Sequence, residues 1–124
     1  MTTSAHATDS GSGGGSRLLP SAHAWQATVL RAGGFRLDGG GMFGLIPKTF
    51  WSTWIPADAD NRIGLACNCL LLRDGSRTVL VETGYGDKWT AKERGVYQFA
   101  ERTVVDALRD EGLEPDAIDE VVLT

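Results

Sequence analysis

The sequence has few of the residues that usually bind catalytic metal ions. Its 124 residues include two histidines and two cysteines. His6 and His23 lie in a stretch of Ser, Gly, Ala and Thr, so we expect them to be solvated and without a metal-binding role. A catalytic zinc needs three protein ligands, and a two-metal site needs more. We therefore expect the 124 residues by themselves to contain no metal site and no catalytic residue.

The two cysteines are too few and too close together to predict a disulfide framework. Cys67 and Cys69 lie two residues apart in an apolar run that predicts a β-strand. Side chains two apart in a strand share a face, and their Cα atoms lie about 6.5–7 Å apart, at the limit of disulfide reach. We expect reduced cysteines that pack as small apolar residues. A metal-binding pair is the alternative, but it has no obvious third ligand.

No apolar run approaches the length that spans a membrane, so we expect no membrane segment. Residues 22–24 resemble a signal cleavage site, but only Leu18 and Leu19 precede them as apolar residues, which argues against a secretory signal. The net charge of −4 gives no reason to expect binding to nucleic acid or to anionic membranes. We therefore predict a cytoplasmic protein.

Length and composition predict one small domain with a tail. Residues 1–24 are rich in Gly and Ser and offer little to bury, so we expect a disordered tail. The domain is expected to cover residues 25–124, beginning near Trp25.

The apolar patterns predict an α+β domain with mainly antiparallel strands and one amphipathic helix. A first strand over residues 27–37 contains Gly33 and Gly34, which predict a bulge or a turn. Strands over 63–72 and 78–82 flank an Asp-Gly turn and are expected to form an antiparallel hairpin. A helix is predicted over 96–111, ended by Gly112. Glu120 is expected to begin a buried strand.

The glycine-rich segment that follows the first strand differs from a nucleotide-binding loop. Residues 38–44 have four glycines in seven positions, but lack both the G-x-G-x-x-G spacing and the Lys-Ser/Thr of a P-loop. Met42 and Phe43, held between glycines, are interpreted as apolar tips that face a ligand or pack on a partner. Trp51 belongs to an aromatic cluster that either seals a core edge or lines a pocket.

The segment around Glu82 is the strongest candidate for a site. Thr78 to Val81 are apolar or β-branched, which predicts a buried strand. Glu82 and Thr83 follow directly, and Gly84 frees the backbone to turn. Polar groups at the end of a rigid strand often form sites. The alternative is that both side chains only accept hydrogen bonds within a turn.

Four segments in order resemble the N-terminal part of the metallo-β-lactamase-fold hydrolases, in the branch that includes quorum-quenching lactonases. They are residues 37–48 (LDGGGMFGLIPK), 61–63 (NRI), 80–88 (LVETGYGDK) and 112–124 (GLEPDAIDEVVLT). The resemblance covers roughly residues 27–124 and implies the N-terminal half of an αβ/βα sandwich. It also implies hydrolysis of a lactone, an ester or a related acyl bond of a small molecule, with two zinc ions in the full-length protein.

The resemblance assigns roles to several residues. It implies that Glu82 and Thr83 support the metal ligands through hydrogen bonds, and that Met42, Phe43 and Trp51 line a substrate-facing loop. The family usually has Asp-Thr-Gly at this turn, so Glu82 adds one methylene, about 1.5 Å of reach, where such support is exacting.

In the family a His-x-His-x-Asp-His metal motif directly follows the Val-Leu-Thr strand, which here ends at Thr124. We therefore expect a truncated hydrolase that is inactive as this chain. The alternative is a non-catalytic half-domain that associates with a complementary chain or with itself, because half a sandwich leaves an unpaired edge.

Overall fold

The structure is a computed structural model that describes residues 24–124. The predicted tail, residues 1–24, lies outside this range except for Ala24, which is exposed and belongs to no helix or strand. His6 and His23 also lie outside the described residues, so their predicted roles stay predictions.

The fold is built on one sheet of four strands in the order β1-β2-β3-β4. The strands are β1 (Gln26–Asp38), β2 (Arg62–Arg73), β3 (Thr78–Val81) and β4 (Glu120–Val122). Both β1–β2 and β2–β3 pair antiparallel, whereas β3–β4 pair in parallel. The predicted hairpin is confirmed: the side chain of Asp74 accepts hydrogen bonds from the backbone N–H groups of Ser76 and Arg77, which tightens the turn between β2 and β3.

A β-bulge in β1 keeps its apolar side chains on one face of the sheet. The register with β2 shifts between Arg31 and Gly33, where the sequence predicted a bulge or a turn. An extra residue in a strand reverses the inward–outward alternation that follows it. As a result Phe35, beyond the bulge, lies on the same face as Leu30 before it.

The predicted single helix over residues 96–111 is wrong. Two helices, α3 (Ala91–Tyr97) and α4 (Val104–Asp110), replace it, and two short helices, α1 (Gly39–Phe43) and α2 (Lys48–Trp51), occur earlier in the chain. α3 ends because Gln98 adopts a left-handed φ of 46°.

The break between α3 and α4 is held by a tertiary hydrogen bond and a new helix cap. The N–H of Ala100 donates to the carbonyl of Gly34 at 2.8 Å, which draws the chain onto β1. Thr103 and Asp106 then form a reciprocal capping box that starts α4. Thr90 and Glu93 form a second capping box, which starts α3 in a stretch where the sequence pattern did not predict a helix. Gly112, with a left-handed φ of 73°, directly follows the C-cap residue Glu111 and ends α4, as predicted.

The main core lies between one face of the sheet and α4. Its buried residues come from the first three strands and the helix: Leu30, Ala32, Cys69, Leu71, Leu80, Ala107 and Leu108. Both cysteines are free, as predicted, and Cys69 is buried in this core, whereas Cys67 is half-buried. Burial raises the pKa of the Cys69 thiol, which favours an inert neutral side chain.

The prediction that Glu120 begins a buried strand is wrong for the described chain. All three residues of β4 are exposed, and Val121 keeps 50% of its surface accessible. β4 pairs with β3 on one side and forms the edge of the sheet on the other. No helix within residues 24–124 is both long enough and apolar enough to cross a membrane.

Candidate functional site

Glu82 lies at the end of β3, and its backbone departs from ordinary strand geometry. Its φ is 68°, a left-handed conformation that is uncommon for a residue other than glycine. Its N–H donates to the carbonyl of Val122 at 2.8 Å, continuing the β3–β4 ladder by one bond. The turn then proceeds through Gly84 and Gly86, which also have positive φ values of 73° and 66°.

The carboxylate of Glu82 binds Thr124, two residues beyond the end of β4. The backbone N–H of Thr124 donates to Oε1 of Glu82 at 2.8 Å, and the Thr124 hydroxyl donates to the same oxygen. These bonds stabilise the ionised form, and the hydroxyl first and the N–H second lower the pKa of Glu82 below its ordinary value of 4.5. Because β3 and β4 are parallel, their carboxyl ends lie side by side at the same end of the sheet. The hydrogen bonds of Glu82 connect these two strand ends.

Thr83 is exposed beside Glu82 in the same turn. Glu82, which stands where the resemblance leads us to expect an aspartate, reaches Thr124 with its carboxylate. The predicted supporting role of Glu82 and Thr83 toward metal ligands stays a prediction.

Of the three predicted loop residues, Met42 and Phe43 lie in α1 and Trp51 lies in α2, away from Glu82. The glycine-rich segment that was expected to be a loop forms α1, because the carboxylate of Asp38 accepts the N–H of Gly41 at 2.8 Å and caps the helix. Phe43 stacks on Trp51 with ring centroids 5.1 Å apart and planes 10° from parallel. Trp51 is 1% exposed and seals this end of the fold, whereas Met42 is 50% exposed.

α1 lies at the far end of the β1–β2 ladder. Asp38 pairs with Arg62, whereas Val81, which precedes Glu82, pairs with Leu70. The two sites are therefore separated by roughly 25 Å along β2. The substrate-facing role of Met42, Phe43 and Trp51 stays a prediction. The buried Trp51 has almost no surface free to contact a substrate.

A cluster of aromatic rings that the sequence did not predict lies next to the Glu82 turn. It consists of Phe35 on β1, Tyr97 at the end of α3, and three residues from the segments before and after that helix: Tyr85, Trp89 and Phe99. Phe99 lies at its centre, with ring centroids 4.6 Å from both Tyr85 and Trp89. The capping pattern Thr90-x-x-Glu93 could have revealed α3, and with it the position of these rings.

The hydroxyl of Tyr85 ties together the segments around the cluster. Its oxygen accepts the N–H of Gly34 at 3.2 Å. Its proton lies within reach of three backbone carbonyls, at 3.0–3.2 Å: those of Gly34, Ala100 and Arg102. One phenol therefore connects the β1 bulge with the segment that separates α3 from α4.

The aromatic cluster borders a pocket of about 400 Å³. Its wall includes the five rings and three further residues, Leu37, Cys67 and Gly84. Gly84 lies two residues after Glu82, so the pocket begins directly beside the turn. Burial first and the charge of Glu82 second raise the pKa of the Cys67 thiol, so Cys67 is a neutral, weakly polar part of the wall.

A larger and shallower cavity of about 500 Å³ lies on the other side of the β1 bulge. Three arginines border it, but Arg36 forms an ion pair with Asp58 and Arg102 forms one with Asp110. Most of its positive charge is therefore already balanced by acidic residues, and Glu82 does not line it.

The side chains of the described residues do not fit a catalytic metal. Within residues 24–124 there is no histidine, and no group of three or more His, Cys, Asp or Glu side chains is placed to hold an ion. The charge of Glu82 acts on the thiols of Cys67 and Cys69, whose raised pKa values oppose the thiolate form that binds zinc. Glu82 in this chain binds the backbone and hydroxyl of Thr124 instead.

Comparison with known proteins places the fold. The sequence profile of the Metallo-beta-lactamase superfamily matches residues 62–124. A solved structure of a probable metal-dependent hydrolase from Staphylococcus aureus superposes with a TM-score of 0.72 at 27% sequence identity. The match covers 81% of this chain and 37% of that protein. A search of proteins with curated functions finds no match.

These matches confirm the predicted fold, an α+β half of the sandwich found in metal-dependent hydrolases. The profile match contains both ends of the Glu82–Thr124 contact, and the structural match extends the likeness to most of the described chain. The chain belongs to the metallo-β-lactamase superfamily.

Proposed function

We propose that this chain forms one half of a metal-dependent hydrolase that cleaves a lactone, an ester or a related acyl bond of a small molecule. The observation that carries the proposal is the contact of Glu82 with Thr124, 42 positions apart, at the carboxyl ends of two parallel strands. Such ends are common positions for ligand sites in α/β sheets. The superfamily match and the metal-dependent relative support the reaction class.

In this proposal Glu82 is a positioning residue. Its carboxylate fixes the backbone at Thr124 and thereby orients a neighbouring segment that carries the metal ligands, in this polypeptide or in a second one. The ligands come from outside residues 24–124, because the described side chains do not fit a metal. The left-handed backbone of Glu82 supports this role, since strained conformations occur most often at functional positions.

The first experiment measures metal binding and hydrolysis by the 124-residue chain. Zinc or manganese is titrated by calorimetry, and hydrolysis of a γ-lactone and a p-nitrophenyl ester is followed with and without metal. We expect no stoichiometric tight metal binding and no turnover above the metal blank. Tight binding of one or two metal ions together with turnover would show that this chain has its own site and would refute the proposal.

A second experiment tests Glu82 in a completed fold. The chain is joined, in the relative's chain order, to the part of the Staphylococcus aureus hydrolase that it does not cover. We expect the chimera to bind metal and to hydrolyse at least one of the two substrates. Glu82→Ala should then weaken metal binding by about 10–100-fold, the usual effect of removing a support behind metal ligands.

Glu101→Ala is the control for Glu82→Ala in the chimera. Glu101 is exposed, and no hydrogen bond or ion pair of its side chain occurs within the described chain. It should leave metal affinity unchanged. Equal effects of the two substitutions would contradict a specific role for Glu82.

The exposed edge of the sheet favours a second candidate function, a half-domain that associates with a complementary chain or with itself. β4 has no neighbour on its outer side within the described chain, and Leu123 beyond it is 68% exposed. On β1, Val29 is also 68% exposed. Unpaired apolar edges are templates for pairing with another chain. Light scattering between 10 and 500 μM, about the range that detects micromolar association, should then show a dimer, and a monomer throughout would contradict self-association.

A further inference from the structure

We propose that the aromatic pocket beside the Glu82 turn binds an uncharged aromatic ring of a small molecule. The pocket is the one bordered by Phe35, Tyr85, Trp89, Tyr97 and Phe99. The identification of that molecule as a substrate rests on the proposed hydrolase function, whereas the binding itself does not.

The size of the pocket distinguishes it from a packing defect. Protein interiors are close-packed and contain few voids larger than a water molecule. A space of about 400 Å³ lies within the range of small-molecule sites. The five rings pack against one another and still leave this space open, so their mutual contacts do not fill it.

The wall of the pocket is built to contact a flat ring. Trp89 and Phe99 stack with planes 29° apart, and Tyr97 is tilted 44° to Phe99. The wall therefore presents ring faces and ring edges in several orientations. Aromatic pairs prefer offset-stacked and edge-to-face geometries and add to the free energy of simple apolar burial. An aromatic ring gains these contacts, whereas a saturated ring of the same size gains only burial.

Hydrogen bonds within the protein hold the rings in position without a ligand. The indole N–H of Trp89 donates to the carbonyl of Tyr85 at 2.7 Å, and the Tyr85 hydroxyl is anchored at the β1 bulge. Arg94 donates to the carbonyl of Asp87 at 2.6 Å and closes the turn that carries Trp89. A preformed wall lowers the entropy lost on binding.

The charges around the pocket select against ions. All eight residues of its wall are uncharged, so an ionised ligand would lose hydration without gaining a charged partner in that wall. The charged residues Asp87, Lys88 and Glu93 line a neighbouring cavity, which shares only Tyr85 and Trp89 with this pocket. The negative charge of Glu82 reaches Cys67 in the wall and further opposes an anion. The site is therefore suited to a neutral ring.

The experiment is an NMR titration of the metal-free 124-residue chain, observing the indole N–H signals of its four tryptophans. The probes are benzyl alcohol, its saturated counterpart cyclohexylmethanol, and benzoate at pH 7. Benzyl alcohol should shift the Trp89 signal saturably, with a Kd of about 1–10 mM for so small a probe. Trp25, Trp51 and Trp54 lie outside the pocket wall and serve as internal controls.

Two matched substitutions test the location. Phe99→Leu should weaken benzyl alcohol binding at least about fivefold by removing the central ring, whereas Phe50→Leu, at a ring 62% exposed elsewhere, should leave it unchanged. If Phe99→Leu loses the dispersed spectrum of a folded chain, Tyr97→Leu replaces it, with the same expectation.

The proposal is overturned by any of three results: no saturable Trp89 shift, equal or tighter binding of cyclohexylmethanol or benzoate, or an equal loss in Phe50→Leu. The titration involves neither metal nor hydrolysis. Its failure therefore leaves the hydrolase proposal intact, and a chain that proves inactive in the completed fold leaves the ring site intact.

Discussion

At some positions in this fold, the space left by neighbouring side chains decides which residue can be present. Gly39 begins α1 although glycine is a poor helix former. It is buried beneath the indole of Trp51, and a Cβ built at Gly39 would overlap that ring. The glycine therefore makes room for the residue that seals this end of the fold.

The corresponding prediction is that Gly39→Ala destabilises the protein by about 1–3 kcal/mol, the usual cost of overpacking a filled core. Gly64→Ala is the matched control, because a Cβ at Gly64 meets nothing within 4 Å. It should change the free energy of unfolding by no more than about 0.5 kcal/mol. Urea denaturation followed by tryptophan fluorescence measures both. Similar losses for the two variants would contradict the overlap with Trp51.

At the same scale, the sequence singled out Glu82 as a candidate but gave no sign of its partner. Glu82 was recognised because a carboxylate directly follows a buried strand, which is a local pattern. Its bond to Thr124 joins residues 42 positions apart and depends on β3 and β4 pairing in parallel. No local pattern carries that information. The contacts of Tyr85, three residues further on, could not be predicted for the same reason, because its hydroxyl binds backbone groups that are distant in sequence.

At the scale of elements, the break between α3 and α4 shows how tertiary contacts override a helical pattern. The periodicity of residues 96–111 is compatible with one helix, and seven of those residues, Val104–Asp110, do form α4. The segment before α4 instead bonds to β1 through Ala100, and Tyr85 reaches the same place. These bonds replace the intrahelical bonds that a continuous helix would have formed.

Tyr85→Phe is therefore expected to loosen this segment. It removes the hydroxyl that accepts from Gly34 and reaches the nearby carbonyls, at a cost of about 1–3 kcal/mol, because the N–H of Gly34 loses its partner. Tyr97→Phe is the control: it removes a hydroxyl from the same ring cluster, and that hydroxyl makes no hydrogen bond within the described chain. Hydrogen exchange at the N–H of Ala100 should accelerate only in Tyr85→Phe. Unchanged exchange there would contradict the role of Tyr85 as a tie.

At the scale of the whole molecule, folding lowers the pKa of several carboxyl groups. They are Asp38, Asp58, Glu82, Glu93 and Asp106. The largest cause in each case is a hydrogen bond donated to the ionised carboxylate. Backbone N–H groups are the donors for two of them, Arg62 to Asp58 and Thr103 to Asp106. Side chains are the donors for the other three, Asn61 to Asp38, Thr124 to Glu82 and Thr90 to Glu93. These bonds occur in caps and turns throughout the described chain.

The expected consequence is acid sensitivity. Because these pKa values are lower in the folded than in the unfolded chain, the unfolded chain binds more protons in acid. Their contribution to stability is therefore complete above the ordinary values of 3.8 for Asp and 4.5 for Glu, and is lost as the pH falls through the lowered values. The urea midpoint, measured from neutral pH down to about pH 3, should fall steadily below the ordinary values.

Asp58→Asn tests one contributor to that slope. It removes the ionisable group that accepts from Arg62 and pairs with Arg36, so the variant should be less stable at neutral pH and lose less stability in acid than the natural chain. Identical slopes for the two proteins would contradict the contribution of Asp58.

The sequence by itself determined the antiparallel hairpin of β2 and β3. The apolar runs around Cys69 and at Leu80 predict two buried strands, and the Asp-Gly turn between them sets how β2 and β3 pair. The β1 bulge and the end of α4 at Gly112 could likewise be predicted, because the backbone conformations that glycine allows are local properties. The family resemblance also followed from the order of short segments along the chain.

Only the tertiary structure decided where α3 ends, what Glu82 binds and where the aromatic rings meet. Each of these features joins segments distant in sequence: Ala100 to Gly34, Glu82 to Thr124, and Phe35 to Phe99. Their free energies arise from contacts that exist only once the sheet has formed. For that reason the position of Glu82 could be predicted from its neighbours, whereas its partner and the pocket beside it could not.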